Sequence, residues 1–371
     1  MNEPLEITLK TLTPLWTGGV ETGRMDRVHE TGILGSLRWW YEVVVRGLGG
    51  SACDPTGHSC LYDPDKPNQG ICDVCRLFGA TGWRRRFRLA INDADVQDTW
   101  SGGAINVKPP DRNRGWYLPA GQMGGLRLQI VADEKIKAQV LALLQFVERH
   151  GNFGARPQLG YGLCQIEKVS NDPVASYDWS VLVGSGRVDS RLPDLRTFTF
   201  FTLTFEPERG DWWRDVPGVG ALARDNRYRG TVDALLRRGL IPITPALKNV
   251  LRYGAQWSSG ALPHHFFGTL RGEERRRGRI GLSWAYRLPD SALWQMRGWA
   301  YPPQTGESQQ REVAQRLQAV LGKPETWLQS LNIRYRQAEA AIAPMGAFFQ
   351  PLSTAQAQQF MHESAIVEVQ G

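Results

Sequence analysis

Between residues 5 and 169 the hydrophobic pattern changes period in one particular order, and that order leaves few folds open. Leu5, Ile7 and Leu9 alternate with Glu6, Thr8 and Lys10, the two-residue period of a half-buried strand. After a loop holding Gly18, Gly19 and Gly23, Leu37, Trp40, Val44 and Leu48 fall at helical spacing, which predicts a helix from about Gly35 to Leu48. Phe87–Ile91 and Leu126–Ile130 read as two strands, separated by a Gly/Pro/Asn-rich excursion through Lys108, Arg112, Arg114 and Trp116. Asp133 is placed to cap a second helix, whose apolar stripe is Ile136, Val140, Leu143, Leu144 and Val147. A glycine-studded turn leads to a last strand, Leu163–Val169. Strand, helix, strand, strand, helix, strand is the ferredoxin-like order, an α+β fold with a four-stranded antiparallel sheet and both helices on one side. That fold hosts many activities, so function has to be read from particular residues.

The loop between the first helix and the second strand is poor in core residues and rich in turns, yet it carries four of the five cysteines: Cys53, Cys60, Cys72 and Cys75. The last two form Cys-Asp-Val-Cys, a spacing that turns both thiolates towards one tetrahedral ion. A structural zinc would hold a segment that cannot hold itself. With all four positions filled by Cys, no position is left open for a catalytic water. Two disulfides are the competing reading, and nothing else in the chain suggests an oxidising compartment. His58 is a substitute ligand, and Cys164, in a strand-like run, reads as a buried free thiol.

With 371 residues, 42% of them hydrophobic and 22% charged, the chain has material for two domains, each with its own core. No run approaches the roughly 20 apolar residues of a membrane span, and the acidic, alternating N-terminus does not read as a signal peptide; a cytoplasmic location is expected, with no membrane partner. Residues 1–170 form the first domain, with the cysteine loop at about 50–76. Ser170 to Leu195 loses periodicity, so 171–195 reads as a linker and 196–371 as the second domain. There, 198–205 reads as a strand, 245–253 as a helix, 279–286 as a strand, and 312–321 and 324–341 as helices; its remaining strands are not marked by any period. An echo joins the halves. Leu77-Phe78-Gly79 is followed by arginines and a strand, and so is Phe266-Phe267-Gly268, with Leu37-Arg38 and Leu251-Arg252 upstream.

Lys plus Arg outnumber Asp plus Glu by 44 to 37, and the arginines cluster at 84–88, 224–229 and 275–279 beside Trp83, Trp212, Trp213 and Tyr228. Cations next to flat rings suit a single nucleic-acid strand, which offers both phosphates and bases.

The strongest signal is a set of short motifs in fixed order: Thr13-Pro14-Leu15-Trp16-Thr17-Gly18-Gly19, Gly35-Ser36-Leu37-Arg38-Trp39-Trp40-Tyr41, Leu77-Phe78-Gly79, and Gly154-Ala155-Arg156-Pro157-Gln158-Leu159-Gly160-Tyr161-Gly162. The set resembles the RAMP superfamily of CRISPR proteins, and within it the branch that supplies the first-numbered subunit of the type III-B (Cmr) effector complex. Ile243–Lys248 and Phe267-Gly268 match the looser pattern in the second half. Gln158-Leu159 stands where the family usually has a basic pair. The resemblance implies two tandem ferredoxin-like (RRM-like) RAMP domains, the zinc loop being inserted in the first. It implies an RNA-binding, non-enzymatic subunit at one end of an RNA-guided antiviral complex. Its partners would be CRISPR RNA, target single-stranded RNA and the other Cmr subunits.

The residues expected to touch RNA are Gly154, Arg156, Gly160, Tyr161 and Gly162 of the glycine loop, Arg24 and Arg27 before the first helix, Arg38 on it, and Arg84, Arg85 and Arg86. Glycines let the backbone approach a sugar–phosphate chain, and an Arg fork matches a phosphate. For Arg38 an ion pair with Glu42, four residues on, is the competing reading. Trp39 and Trp40 read as core. Metal-independent RNA cleavage needs a base near the 2′-hydroxyl. His29, His150 and Asp26 are the residues that would serve a CRISPR-RNA-processing endoribonuclease, the first alternative. The second is a zinc-stapled module that binds only proteins.

Overall fold

The computed structural model describes residues 3–54, 57, 60–66, 70–182, 192–254, 256–269, 275–343 and 352–365. His58 lies outside them. The first half runs β1 (Leu5–Thr11), α1 (Glu30–Gly47), α2 (Asp73–Phe78), β2 (Arg88–Asp98), β3 (Ile105–Val107), β4 (Trp116–Leu118), β5 (Gln122–Val131), α3 (Glu134–His150) and β6 (Cys164–Ser170). β2, β5, β1 and β6 lie side by side in that order, every pair antiparallel. The expected order of elements is therefore present. Leu5, Ile7 and Leu9 face a core with Leu126, Leu128 and Ile130, covered by Ile33, Leu37, Trp40 and Val44 of α1 and Val140, Leu143, Leu144 and Val147 of α3. Asp133 caps α3, accepting from the Ile136 N–H. The other face of the sheet is polar: Gln129 donates to Glu6, and Lys10 stands 3.7 Å from Glu167.

Several boundaries differ from the sequence reading: β2 runs on to Asp98, beyond the expected end at Ile91, and β5 starts at Gln122 and not at Leu126. α1 begins at Glu30, a turn before Gly35, because the Thr17 hydroxyl accepts from the His29 N–H and sets the helix start. The excursion after β2 is partly ordered: β3 and β4 form a hairpin whose Ile105, Val107 and Leu118 are fully buried, against residues of the second half.

The second half runs β7 (Thr199–Pro207), α4 (Val219–Arg224), α5 (Arg229–Arg237), β8 (Leu240–Ile241), α6 (Thr244–Tyr253), α7 (Leu262–Phe267), β9 (Ile280–Leu282), β10 (Ala285–Arg287), β11 (Trp294–Ala300), α8 (Glu307–Leu321), α9 (Pro324–Ser330), β12 (Tyr335–Ala343) and α10 (Thr354–Ala365). Its sheet is ordered β12-β7-β11-β10-β8, with β9 also on β11, and its pairs are antiparallel. The helix expected over 324–341 is corrected: it stops at Ser330, Asn332 turns the chain at φ +57, and the Ala/Glu-rich remainder is a strand paired to β7 from Tyr335 to Ala343. Sheet pairing outweighs the helix propensity of those alanines. The strand expected over 279–286 is two, β9 and β10, broken at Ser283-Trp284.

The halves share side chains. Trp16, Tyr161 and Leu163 belong to the second-half core, while Phe198, Phe200, Trp299, Tyr301, Ala357 and Met361 belong to the first. Trp179, within the expected linker, is buried in the first-half core, and α10 packs on α3. Among the described residues no helix is long and apolar enough to cross a membrane.

Candidate functional site

The glycine loop is stitched onto the Thr-Pro-Leu-Trp segment by backbone pairing. The Ala155 N–H donates to the Trp16 carbonyl at 2.7 Å and the Gly162 N–H to the Pro14 carbonyl at 2.9 Å. Gly154 sits at φ +72, and a Cβ there would lie 2.5 Å from the Trp16 carbonyl oxygen, so only glycine fits. Arg156 adopts φ +63, a left-handed conformation that costs a non-glycine residue about 1 kcal/mol. Its guanidinium lies 4.1 Å above the Trp16 ring, a cation–π contact of similar size that offsets the strain. Burial lowers the Arg156 pKa from its ordinary value.

The first three turns of α1 and, from the second half, the segment before β9 and the end of β11 close on this loop. Together they frame a cleft of about 500 Å³ lined by Thr31, Gly32, Gly35, Ser36, Trp39 and Trp40 of α1, Asn152 and Gly154–Gln158, and Arg277, Gly278, Trp299 and Tyr301. The Ser36 hydroxyl accepts from the Gly154 N–H at 2.9 Å, fixing helix to loop. Asn152 ties the floor: its Oδ1 accepts from the Trp299 indole at 2.7 Å and its carbonyl from the Trp40 indole at 3.3 Å. The N-terminal end of α1 carries no side-chain cap, and Asp26, Glu30 and Asp93 stand beside it. Among the described residues the lining holds two arginines, four aromatic rings and no carboxylate or histidine. Such a wall attracts an anion and sets the half-buried Trp39 ring beside it, the other three rings being buried.

The expected residues separate into three groups. Gly154 and Arg156 line the cleft. Gly160, Tyr161 and Gly162 pack: a Cβ on Gly160 would stand 2.2 Å from Trp284, one on Gly162 would stand 2.0 Å from the Phe153 carbonyl oxygen, and Tyr161 is fully buried with its hydroxyl donating to the Pro119 carbonyl. Tyr161 therefore presents no ring to a ligand, and burial raises its pKa. The remaining arginines lie elsewhere. Arg24 pairs with Glu21 at 3.2 Å and Arg27 with Glu30 at 3.0 Å, both on the loop into α1. Arg84 is exposed, Arg85 donates to the Phe87 carbonyl, and Arg86 stands 3.7 Å from Asp133. Trp40 is core as expected, whereas Trp39 is half-buried and lines the cleft. The sequence reading missed Ser36 and Arg277 as cleft residues; the echo around Gly268 was the signal that pointed towards Arg277.

Arg38 is directed inward. Its Nε donates to Glu42 at 3.2 Å, Nη1 to the Gly79 carbonyl at 3.1 Å, and Nη2 approaches the Cys75 sulfur at 3.3 Å. It thereby joins α1 to the second notable site. The sulfurs of Cys53, Cys60, Cys72 and Cys75 all lie within 4.8 Å of one another, and none is in a disulfide. Tetrahedral ligation at a Zn–S distance of about 2.3 Å separates sulfurs by about 3.8 Å. Cys53 and Cys75 are 3.6 Å apart. Backbone N–H groups of Cys53 and Cys75 point at the Cys72 sulfur and that of Cys72 at Cys60, each at 3.4 Å, as thiolates attract them. Burial and then the neighbouring Cys72 push the Cys75 thiol up, an opposition that a cation held among the sulfurs would remove. The four residues fit a metal ion. Cys164, fully buried, stands apart from this cluster.

His29 and Asp26 meet at 2.9 Å at the start of α1, and this hydrogen bond holds the Asp26 carboxyl below its usual range. His150 is enclosed by Phe146, Phe200 and Phe360, and burial brings its pKa down to about 3, so it stays neutral.

Residues 8–165 match the sequence model of the RAMP superfamily. Among solved structures it is similar to Cmr1 from Pyrococcus furiosus in its apo form, with 16% identity, 81% of this chain and 88% of that one covered, and a TM-score of 0.39. It is also similar to a chain of the type III-B Cmr-beta complex bound to cognate target RNA, with 11% identity, coverage of 86% and 99%, and a TM-score of 0.39. A chain of a type IV-B CRISPR complex is 14% identical, with coverage of 52% and 96% and a TM-score of 0.32. At these scores the structural likenesses add nothing to the family match. Comparison with curated proteins gave no match.

Proposed function

We propose that this RAMP-superfamily chain is a non-catalytic, RNA-binding subunit of a type III-B (Cmr) CRISPR effector complex, built from two ferredoxin-like units with a structural zinc in the first. The observation that carries the reading is the cleft between the halves. It gathers Arg156 and Arg277 beside the half-buried Trp39, and among the described residues its lining has no carboxylate. A single strand supplies what such a wall takes up, phosphates for the cations and a base for the Trp39 ring. The described residues of that lining include no acid or histidine, which favours holding RNA over cutting it. The duplicated reading rests on the echo: Gly79 and Gly268 each follow a six-residue helix, at φ +89, ψ 158 and φ +82, ψ 165. Both are followed by a lone bridge, Ala80 to Trp83 and Thr269 to Arg276.

Single-stranded RNA binding by fluorescence anisotropy tests the cleft. Arg156→Ala and Arg277→Ala are each expected to weaken binding about 3- to 10-fold, the size of a lost charge-assisted contact. Unchanged affinity in both would sink the site. Purification from the host is expected to bring down CRISPR RNA and the other complex subunits.

The His29–Asp26 pair favours a second reading, a CRISPR-RNA-processing endoribonuclease, since a carboxylate beside an imidazole is how a general base is oriented. Cleavage of repeat RNA in EDTA, abolished by His29→Ala, would replace the first reading with this one.

A further inference from the structure

A second and larger cleft, of about 860 Å³, opens where the first-half excursion meets the second half. Lys108 follows β3, Arg214 and Asp215 precede α4, Arg224 ends it, and Arg334 precedes β12. Gly218, at φ +82, lets the segments touch, since a Cβ there would stand 2.8 Å from the Lys108 carbonyl carbon.

Among the described residues four cations thus line one cleft with a single carboxylate. That carboxylate is engaged from outside: Arg209 stands 3.9 Å from Asp215 and 2.8 Å from Asp211. Arg214 reaches Asp211 only at 4.0 Å and lies over the Trp213 ring. Lys108, Arg224 and Arg334 are exposed and have no acidic partner among the described residues. Like charges gathered round one concavity repel each other, and an anionic ligand relieves that repulsion.

The rest of the wall says which anion fits. Val216, Pro217, Ala221 and Ile333 are aliphatic, and among the described residues the lining has no aromatic ring to serve as a stacking platform for a base. Gln329 and Asn332 supply amide groups suited to phosphate and 2′-hydroxyl oxygens. The cleft is open and lacks the enclosed apolar pocket that anchors a peptide side chain. The geometry points to a second seat for single-stranded RNA, one that holds the sugar–phosphate backbone without reading its bases. This inference rests on the RNA-binding reading above and extends it from one anchor to a track. The aromatic cleft would hold bases and phosphate together, and the basic cleft phosphate alone.

The test is anisotropy with two unrelated RNAs of about 30 nucleotides, long enough to leave either cleft free to engage, from about 50 to 300 mM salt. The full-length chain is compared with Lys108→Ala/Arg224→Ala/Arg334→Ala and, separately, with Arg156→Ala. The triple variant is expected to lose about tenfold in affinity at the lowest salt, equally for both RNAs. Its log–log salt slope should fall by about 2, at about 0.7 per phosphate contact on a single strand. Its melting temperature should be unchanged, because the three side chains are exposed. Wild-type affinity and slope in the triple variant, with Arg156→Ala still weakened, would overturn the second seat and leave the first standing. No RNA affinity in the wild type would overturn both. Retained RNA binding with loss of labelled poly-glutamate binding would overturn it in favour of an acidic protein segment.

Discussion

The segments around Gly79 and Gly268 follow the same backbone course and are pinned by different chemistry. In the first half, Cys72 caps α2 by accepting from the Cys75 N–H, and its sulfur belongs to the four-cysteine set that gathers residues 53–75. Arg38 completes the pin, reaching both Cys75 and the Gly79 carbonyl. The second half has no cysteine at the corresponding place. There the Trp257 indole donates to the Arg252 carbonyl at 2.6 Å, and the Ser258 N–H donates to Glu312 of α8 at 2.8 Å. Arg316, also on α8, lies 5.0 Å over Trp257 and donates to the Val250 carbonyl. The comparison teaches that one turn can be held locally by a cysteine cluster that fits a metal ion, or remotely by a neighbouring helix. The local device tolerates the turn-rich sequence before α2, whereas the remote one ties α7 to the packing of the whole second half.

The largest expected effect breaks the first pin. Cys72→Ser should reduce bound zinc from about one equivalent to a small fraction, measured by metal analysis, and destabilise the chain by several kcal/mol. Hydrogen exchange should rise across 51–83 and stay unchanged across 256–269. Equal loosening of both segments would show that the pins are not independent.

Next comes the seam between the halves. Gly160→Ala forces a Cβ into Trp284 and Thr244 at φ +96, and should cost about 3 kcal/mol in chemical denaturation. Lys248 crosses the same seam, donating to the Gln158 carbonyl at 2.5 Å, and burial brings its pKa down to about 7. The unfolded chain binds this proton up to its ordinary value of 10.5, so the folded chain holds fewer protons between the two. Stability should therefore rise with pH across that window, and Lys248→Met should flatten the rise. An identical pH profile in the variant would count against a buried, neutralised lysine.

The smallest effect belongs to the second pin. Glu312→Ala leaves the Ser258 N–H and hydroxyl unpaired and should cost about 1 kcal/mol, with faster exchange confined to 256–269. Zinc content should not change.

The same contrast explains what was legible in the sequence. The first half could be read because β1 and β5 bury one face each and so keep a period of two, and because α3 carries a clean stripe with its cap. β7 buries Phe200 against the first half and Phe201 against its own core, which erases the alternation at its start. β8, β9 and β10 are two or three residues long, too short for any period. β12 is written in helix-forming residues and becomes a strand only through its ladder with β7. At the site, the glycine loop and Arg156 stood out as a motif. That Gly160 and Tyr161 serve Trp284 and the core, and that Arg277 and Tyr301 complete the wall, depends on how the halves pack, which no local pattern encodes.

The central claim is that the cleft between the halves holds single-stranded RNA. Photocrosslinking of full-length protein to 4-thiouridine-substituted RNA, followed by peptide mapping, tests it most directly. The account predicts crosslinks to peptides carrying Trp39, Gly154–Gln158 and Arg277–Tyr301, lost on Arg156→Ala/Arg277→Ala. Crosslinks confined to the polar face of the first sheet, around Glu6, Lys10 and Gln129, would contradict it.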